Sequence, residues 1–492
     1  MNSTVHIIGS GFSSLSAACY LAKAGYAVTV LEKNETFGGR ARQFSHEGFK
    51  FDMGPTWYWM PDVFEDFFKD FGKTVDSFYT LEKLDPAYRV YFGKNDWIDI
   101  DGSLKKISNT FESIEKGSSI KLNNFIDRAK KNYEIAIKKL VYKPGLSPTE
   151  LITRETIFEL KQFYQTIHDF VKKTFSNPRL QQILEFPVLF LGAKPSNTPL
   201  FYNFMNYADF GLGTWYPKGG MRSVVDGIIS LAGELGVTFQ SNAAITKINV
   251  DNHIVESIEV NRQTIPVELL VSGADYRHTE LLLPPEYHSY SEKYWNRKVM
   301  APSSLLFYVG FSKKIERVLH HTLFFDVPFT QHAEEIYDRP SWPEKPLFYA
   351  SFPGKSDSTI LPEGMEAGTF LIPLAPDLTD TDELREKYFS IIMERLEKLT
   401  GQDLKSSILF KKSYCVNDFK EDYNSFKGNA YGMANTLMQT AFLRPKIKSN
   451  KVHNLYFTGQ LTVPGPGVPP ALISGKIVAD LIRKKNQQPV NQ

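Results

Sequence analysis

Cysteine is scarce: the 492 residues contain two, Cys19 and Cys415. Two thiols so far apart make no disulfide framework, and a reducing, cytoplasmic compartment is the default expectation. Long apolar runs are missing as well. None approaches the roughly 18 residues of a membrane span, so membrane contact, if made, is expected to be peripheral, at the inner face. The first strand-like run begins almost at once, which leaves no room for a signal peptide. Net charge is small, 57 basic against 55 acidic residues for +2, and implies no nucleic-acid partner. There is no Ser-His-Asp signature and no nucleophile elbow. His320-His321 has no second ligand pair at zinc-like spacing, so the pair reads as structural or surface and no metal site is expected.

The remaining composition is that of a globular chain, 42% hydrophobic and 23% charged. Its length exceeds one compact core and suggests two or three domains. Aromatics reach 14%, with 37 Phe and 24 Tyr, which fits a large apolar cavity in addition to a core. The most informative stretch is Val5–Glu32, VHIIGSGFSSLSAACYLAKAGYAVTVLE. An apolar strand ends at Gly9-Ser10-Gly11, and a helical pattern follows with Leu15, Ala18, Leu21 and Ala22 on one side. A second strand, Ala27–Leu31, ends at Glu32. This is the order of a dinucleotide-binding βαβ unit. Gly9 allows the tight turn, Gly11 lets a pyrophosphate approach the backbone, and the helix start presents N–H groups to it. Glu32 stands where a carboxylate accepts from ribose hydroxyls. The third glycine is replaced by Ser14, beside Ser13; serine is small enough to keep helix and strand close. Taken alone, the unit leaves NAD and FAD both open.

Farther on, Gly38-Gly39-Arg40 could bring N–H groups and a guanidinium to the same pyrophosphate. Phe49–Asp52 reads as a strand, followed by a Gly54-Pro55-Thr56 turn. Trp57-Tyr58-Trp59-Met60 is then either a buried corner or the wall of an apolar tunnel. Asp62 is placed to cap a helix carrying Val63, Phe64, Phe67, Phe68 and Phe71. Residues 105–195 read as mostly helical. They include Glu159–Phe175, with a stripe at Leu160, Phe163, Tyr164, Ile167, Phe170 and Val171, and the basic amphipathic Lys130–Lys143, either a solvated or a membrane-surface helix. A glycine-aromatic segment, Gly211–Met221, leads to a helix at Arg222–Leu235. Strands are expected at Val237–Phe239, Ala244–Val250, Ile254–Val260 and Leu269–Ser272. From 285 to 412, four strand-like runs and a helix at Thr381–Leu399 form an α+β layer. Near the C-terminus, Asn454–Gly459 reads as a strand into a glycine. Pro464–Pro470 leads to a helix at Ala471–Arg483, whose free N–H groups could face a flavin.

Together, GSGFSSLSAACYL, EKNETFGGRA, FDMGPTWYWMP, LFLGAKPSNTPLFY, GTWYPKGGM, LLVSGADYRHTE and NLYFTGQLTVPGPGVPPALISGK resemble the FAD-dependent carotenoid desaturases of the bacterial phytoene desaturase type. G-G-[RK] soon after the acid is similar to FAD proteins of this and the amine-oxidase type. The resemblance departs at Ser13 and Ser14, where glycines are usual. It implies an α/β fold shared with amine oxidases and Rab GDP-dissociation inhibitors. In that fold, a Rossmann-like FAD domain is assembled from 1–80, 212–284 and 415–492. An α+β substrate domain takes 81–104, 196–211 and 285–414, and a helical subdomain, a candidate for membrane contact, takes 105–195. Positions expected to hold FAD are Gly9, Gly11, Phe12, Ser13, Glu32, Lys33, Gly39, Arg40, Gly54, Pro55, Thr56, Ile245, Gly459, Gln460, Gly467, Val468 and Pro469. The implied substrate is a long apolar polyene drawn from a membrane surface. Phytoene-to-lycopene conversion is favoured over 3,4-desaturation of hydroxylated or monocyclic carotenoids. An amine or protoporphyrinogen oxidase and a non-catalytic isoprenoid-binding protein are the rivals; Glu32, Gly39, Arg40 and Gly459 argue for a working flavin. No catalytic acid or base is assigned. Glu150 and Arg154 read as a surface i,i+4 pair.

Overall fold

The computed structural model describes residues 3–487 apart from 155, 157, 158 and 160. Five short parallel strands form the sheet under the first motif, in the order Leu455–Phe457, Leu269–Ser272, Thr4–Ile8, Ala27–Leu31, Thr238–Gln240. They are apolar on both faces because helices cover both: Val5, Ile7, Val30, Leu270 and Val271 are fully buried. Thr4–Ile8 is central, and the chain continues to either side of it. Its carboxyl end is therefore the switch point at which open α/β sheets take ligands.

Helix Phe12–Lys23 follows that end and packs on the C-terminal helix Val468–Gln487 and on helix Met221–Glu234. The contacts need small residues. A Cβ on Gly475 would stand 2.4 Å from the Ser13 carbonyl oxygen, and one on Gly273 would meet Ser14 Oγ at 2.0 Å. Ser14 thus fills the third-glycine position because its neighbour Gly273 gives way instead. Ser16 Oγ also donates to the Leu472 carbonyl at 2.7 Å.

A second, seven-stranded sheet runs Ile408–Tyr414, Ser303–Phe311, Glu366–Leu374, Phe348–Ser351, His321–Phe324, Tyr88–Gly93, Asp96–Ile100. All pairs are antiparallel except His321–Phe324 with Tyr88–Gly93. Its two faces follow the period of two. Phe307, Phe324, Phe370 and Ile372 pack with Tyr388, Ile392, Met393 and Leu396 of helix Asp382–Thr400. The cross-strand row Leu323, Tyr349, Leu371 points the other way, into a cavity. Helices Leu104–Ile114, Ser118–Ile135, Ile167–Thr174 and Pro178–Glu185 close the third side, and the turns of 200–211 pack on Ser118–Ile135.

Three helical expectations change. Lys130–Lys143 is the end of one helix and a π turn, Ala136–Leu140. Its apolar stripe faces inward, with Tyr133, Ala136 and Ile137 buried, so the stripe is spent on the protein's own packing. Glu159–Phe175 is not one helix. Thr166 bridges to Pro199 and caps a fresh helix through Asp169 N–H, breaking the run; Leu160 lies outside the described residues. Asp62 is not a cap: Met60, at φ 56°, precedes the helix Pro61–Lys69, and Asp62 accepts from Tyr133 O–H at 2.7 Å.

Candidate active site

One cavity of about 700 Å³ runs from the switch point to the second sheet. All seventeen positions expected from sequence lie on its wall, brought together from five stretches of chain. Gly9, at φ +83°, makes the turn out of the first strand, a conformation that only glycine adopts without strain. Around the site of a Cβ on Gly11 there is nothing within 4 Å, so the space needed by a phosphate is open. The helix start behind it has no side-chain cap and no acid in its first turn, which leaves its dipole and N–H groups available to an anion.

Glu32 is nearly buried and does more than face a ribose. Oε2 accepts from Ser10 N–H (2.9 Å) and Ser10 O–H (2.6 Å), and Oε1 from Asn34 N–H (2.9 Å) and Nδ2 (3.0 Å). Its four acceptor positions therefore already brace the glycine turn, and Ser10 Oγ in turn accepts from Gly38 N–H at 3.1 Å.

Arg40 donates to Ser425 Oγ at 3.2 Å and lies 5.0 Å over the Tyr423 ring, while its buried Nε has no partner. Burial lowers its pKa, opposed by the nearby Tyr423 and Asp275. Gln460, with its amide oxygen turned toward Arg40, accepts from both terminal nitrogens at 3.2 and 3.0 Å. Open glycine space, a bare helix start and a guanidinium on the cavity wall fit the pyrophosphate of an adenine dinucleotide.

Near the C-terminus, Gly459, Gly465 and Gly467 carry φ of +102°, +124° and +117°. The helix begins at Val468 rather than Ala471. Pro469 and Pro470 have no N–H to give, so Val468 supplies the free donor there, fewer than the sequence reading expects.

The other end of the cavity is apolar. Trp57, Trp59 and Met60 line it with Phe186, Met205 and Phe325, so the tunnel-wall reading holds for three of the four residues. Tyr58 is fully buried instead, its hydroxyl 2.8 Å from that of Tyr79. Ile137 and Val141 complete this wall from the helical side. Behind it, Trp59 Nε1 donates to Thr214 Oγ1 at 2.8 Å, and Tyr88 O–H donates to Asp209 at 2.7 Å. Burial pushes Asp209 up to about 7.

Several wall residues escape the sequence reading. Asp275 caps helix Tyr276–Leu281 through His278 N–H (3.1 Å) and accepts from Phe426 N–H (3.1 Å). Gly273-Ala274-Asp275 ends a strand at the same sheet edge as Gly9, a signal that could have marked it. His278 is held down to about 4, by burial first and then by Lys33 and Arg277. Tyr423, Tyr349 and Asn435 carry no local signature. Glu150 is spent on Gly145 and Leu146 N–H (2.8 and 3.1 Å) and is absent from the cavity wall. His320 and His321 are both buried, not surface. Among the described residues no group of three or more His, Cys, Asp or Glu could hold a metal.

Comparison with known proteins agrees with this geometry. Residues 12–483 match the flavin containing amine oxidoreductases. A carotenoid 3,4-desaturase from Haloarcula japonica is 41% identical over 484 residues, 97% of either chain. A 4,4'-diapophytoene desaturase (4,4'-diaponeurosporene-forming) from Staphylococcus aureus is 31% identical over 504 residues, 99% of this chain and 100% of that one. Among solved structures, an oxidoreductase from Methanosarcina mazei superposes with TM-score 0.65 at 16% identity, over 97% of this chain and 100% of that chain. The chain belongs to the flavin containing amine oxidoreductase family and, within it, to the FAD-dependent carotenoid desaturases.

Proposed function

We propose that this desaturase introduces a double bond at C3–C4 of a hydroxylated or monocyclic carotenoid, at its open-chain end. The observation that carries desaturation is the continuous cavity, with a glycine turn and an uncapped helix start at one end and aromatic side chains at the other. The 41% identity to a carotenoid 3,4-desaturase favours this bond over the phytoene-to-lycopene conversion that the motifs alone favour. When bound, FAD supplies a two-electron acceptor for hydride from the carbon beside the polyene.

In this reading the chain's own residues bind, orient and keep water out. Gly9–Ser13, Glu32, Lys33, Gly39, Arg40 and Ile245 hold the adenosine and pyrophosphate half. Gly54–Thr56, Gly459, Gln460 and Gly467–Pro469 hold the ring half. Trp57, Trp59 and Phe325 align the hydrocarbon and exclude solvent, so that positive charge developing on the polyene is not trapped by water. We assign flavin binding to 1–80, 212–284 and 415–492, and substrate binding to the seven-stranded sheet and the helices.

The polyene would enter from a bilayer. Among the described residues no helix is long and apolar enough to cross a membrane. Leu146, Ile152, Tyr164 and Met438 are nevertheless exposed apolar side chains on segments flanking the cavity wall. Gly145 abuts Val463 and Ala441, and Tyr202 on the wall bonds Thr440 at 3.1 Å.

The test offers holoenzyme lycopene, 1-hydroxylycopene or phytoene in liposomes. A red-shifted product lighter by two hydrogens from either of the first two is expected. Consumption of phytoene alone would overturn the C3–C4 reading.

A further inference from the structure

His320-His321 finds no role in metal binding, yet His321 is placed for one in the reaction. It sits in strand His321–Phe324, fully buried, on the same sheet face as Leu323, Tyr349 and Leu371. Its Nδ1 lies 2.6 Å from Tyr349 Oη, and Tyr349 Oη lies 2.8 Å from Thr56 Oγ1. Tyr349 and Thr56 are both on the cavity wall, and Thr56 follows the Gly54 that packs on the Arg40 carbonyl. The imidazole is stacked under Trp57, rings 4.0 Å apart and 10° from parallel, and its buried Nε2 has no partner.

We propose that Thr56, Tyr349 and His321 form the proton-accepting relay of the desaturation. This rests on the carotenoid-desaturase reading but not on which bond is oxidised. FAD, when bound, would take up the hydride, and the substrate would be left as an allylic cation. The adjacent C–H bond then breaks, and its electron pair becomes the new C=C bond. The proton passes to the Tyr349 oxygen as the Tyr349 O–H proton moves to His321 Nδ1. The tautomer with its proton on Nε2 leaves Nδ1 free to accept, while the Thr56 hydroxyl donates to Tyr349.

A weak base is sufficient. A C–H beside an allylic cation is strongly acidic, so the acceptor has to be positioned and dry rather than basic. Burial first, and His320 second, hold His321 well below the ordinary histidine range, so the resting ring is neutral and ready to accept. After product leaves, the imidazolium returns its proton through the Tyr349 hydroxyl to water entering the emptied cavity. Tyr349 is the catalytic residue, and His321 acts through it.

The experiment uses reduced-oxygen single turnovers of the holoenzyme in liposomes, on whichever of lycopene, 1-hydroxylycopene or phytoene the unaltered protein converts. A failed C3–C4 assignment thus leaves this test intact. Tyr349→Phe keeps the ring and removes the hydroxyl. Product formation is expected to fall about 100-fold or more, with flavin content unchanged and the protein still folded at the assay temperature, although the unpaired His321 Nδ1 lowers the melting temperature. The unaltered protein is expected to be slowed in D₂O, and in Tyr349→Phe that slowing is expected to vanish, because no exchangeable proton is then in flight. His321→Asn is expected to slow product formation in the same way; if it fails to fold, Tyr349→Phe decides alone. Product formation by Tyr349→Phe within about 3-fold of the unaltered protein, with the D₂O effect retained, would overturn the relay.

Discussion

The two ends of the cavity are built by opposite means. The end at the glycine turn, where we propose the cofactor binds, is made of backbone: Gly9 and Gly39 in left-handed conformations, a bare helix start, and Glu32 wired to Ser10 and Asn34. Few side chains there are free to change. The substrate end is made of side chains delivered by unrelated elements, Trp57 from a loop, Phe186 from a helical turn, Leu323 and Tyr349 from strands. A phosphate demands donors at fixed positions, which only a fixed backbone supplies. A hydrocarbon demands area and dryness, which many side-chain sets satisfy. The same contrast separates what a substitution breaks at each end.

The sharpest break is expected at Glu32. Glu32→Ala removes four charge-assisted hydrogen bonds, each worth about 1.5–3 kcal/mol, and leaves Ser10 and Asn34 donors unmet. Protein purified without flavin and melting well below the unaltered apoprotein is expected. An unchanged apoprotein melt would mean that Glu32 serves the ribose alone.

Next is Asp209, the polar intruder behind the apolar wall. Burial raises its folded pKa from 3.8 to about 7. The fold therefore holds a proton that the unfolded chain gives up. The associated stability is full below pH ~4 and is lost as pH rises toward ~7, at most roughly 4 kcal/mol. Melting temperature is expected to fall over that window, and Asp209→Asn is expected to flatten the slope. An equally steep slope in Asp209→Asn would move the cause elsewhere.

How much was legible follows the same division. Gly9, Gly11, Glu32 and Gly39-Arg40 could be read because backbone demands leave short local patterns, and strand Ile254–Val260 or Leu269–Ser272 could be bounded to the residue. Asp275 was readable in principle, from a strand ending in glycine at the same edge. Tyr349 and His321 were not: their meaning comes from a register across two strands and a contact with Thr56, 293 residues away in sequence from Tyr349. The inward turn of Ile137 and Val141 was equally hidden. An amphipathic stripe says that a face is buried and is silent on what buries it.

Arg40 sharpens the comparison from the cofactor side. Arg40→Met removes a guanidinium from the cavity wall, an expected loss of about 1.5–3 kcal/mol or roughly 10–150-fold in FAD affinity. Fluorescence titration of apoprotein with FAD measures it. Polyene binding to the apoprotein is expected to stay within about 2-fold, since Arg40 serves the far end.

The mildest effect belongs to the hydrocarbon end. Phe325 is 7% exposed, lines the cavity, and meets Phe186 with ring centroids 6.0 Å apart. Phe325→Leu keeps an apolar wall and trades aromatic area for a branched chain, at a cost of about 1 kcal/mol in stability. Flavin content is expected to be unchanged and KM for the polyene to rise about 3–5-fold, by a similar argument from lost contact area. The decisive quantity is the pairing of those two results. If Phe325→Leu also loses flavin, the ends of the cavity are coupled through Met53–Thr56 and the sheet row Leu323–Tyr349–Leu371, and the backbone end depends on side chains after all. If KM alone moves, the aromatic chamber is an interchangeable lining on a fixed flavin cradle.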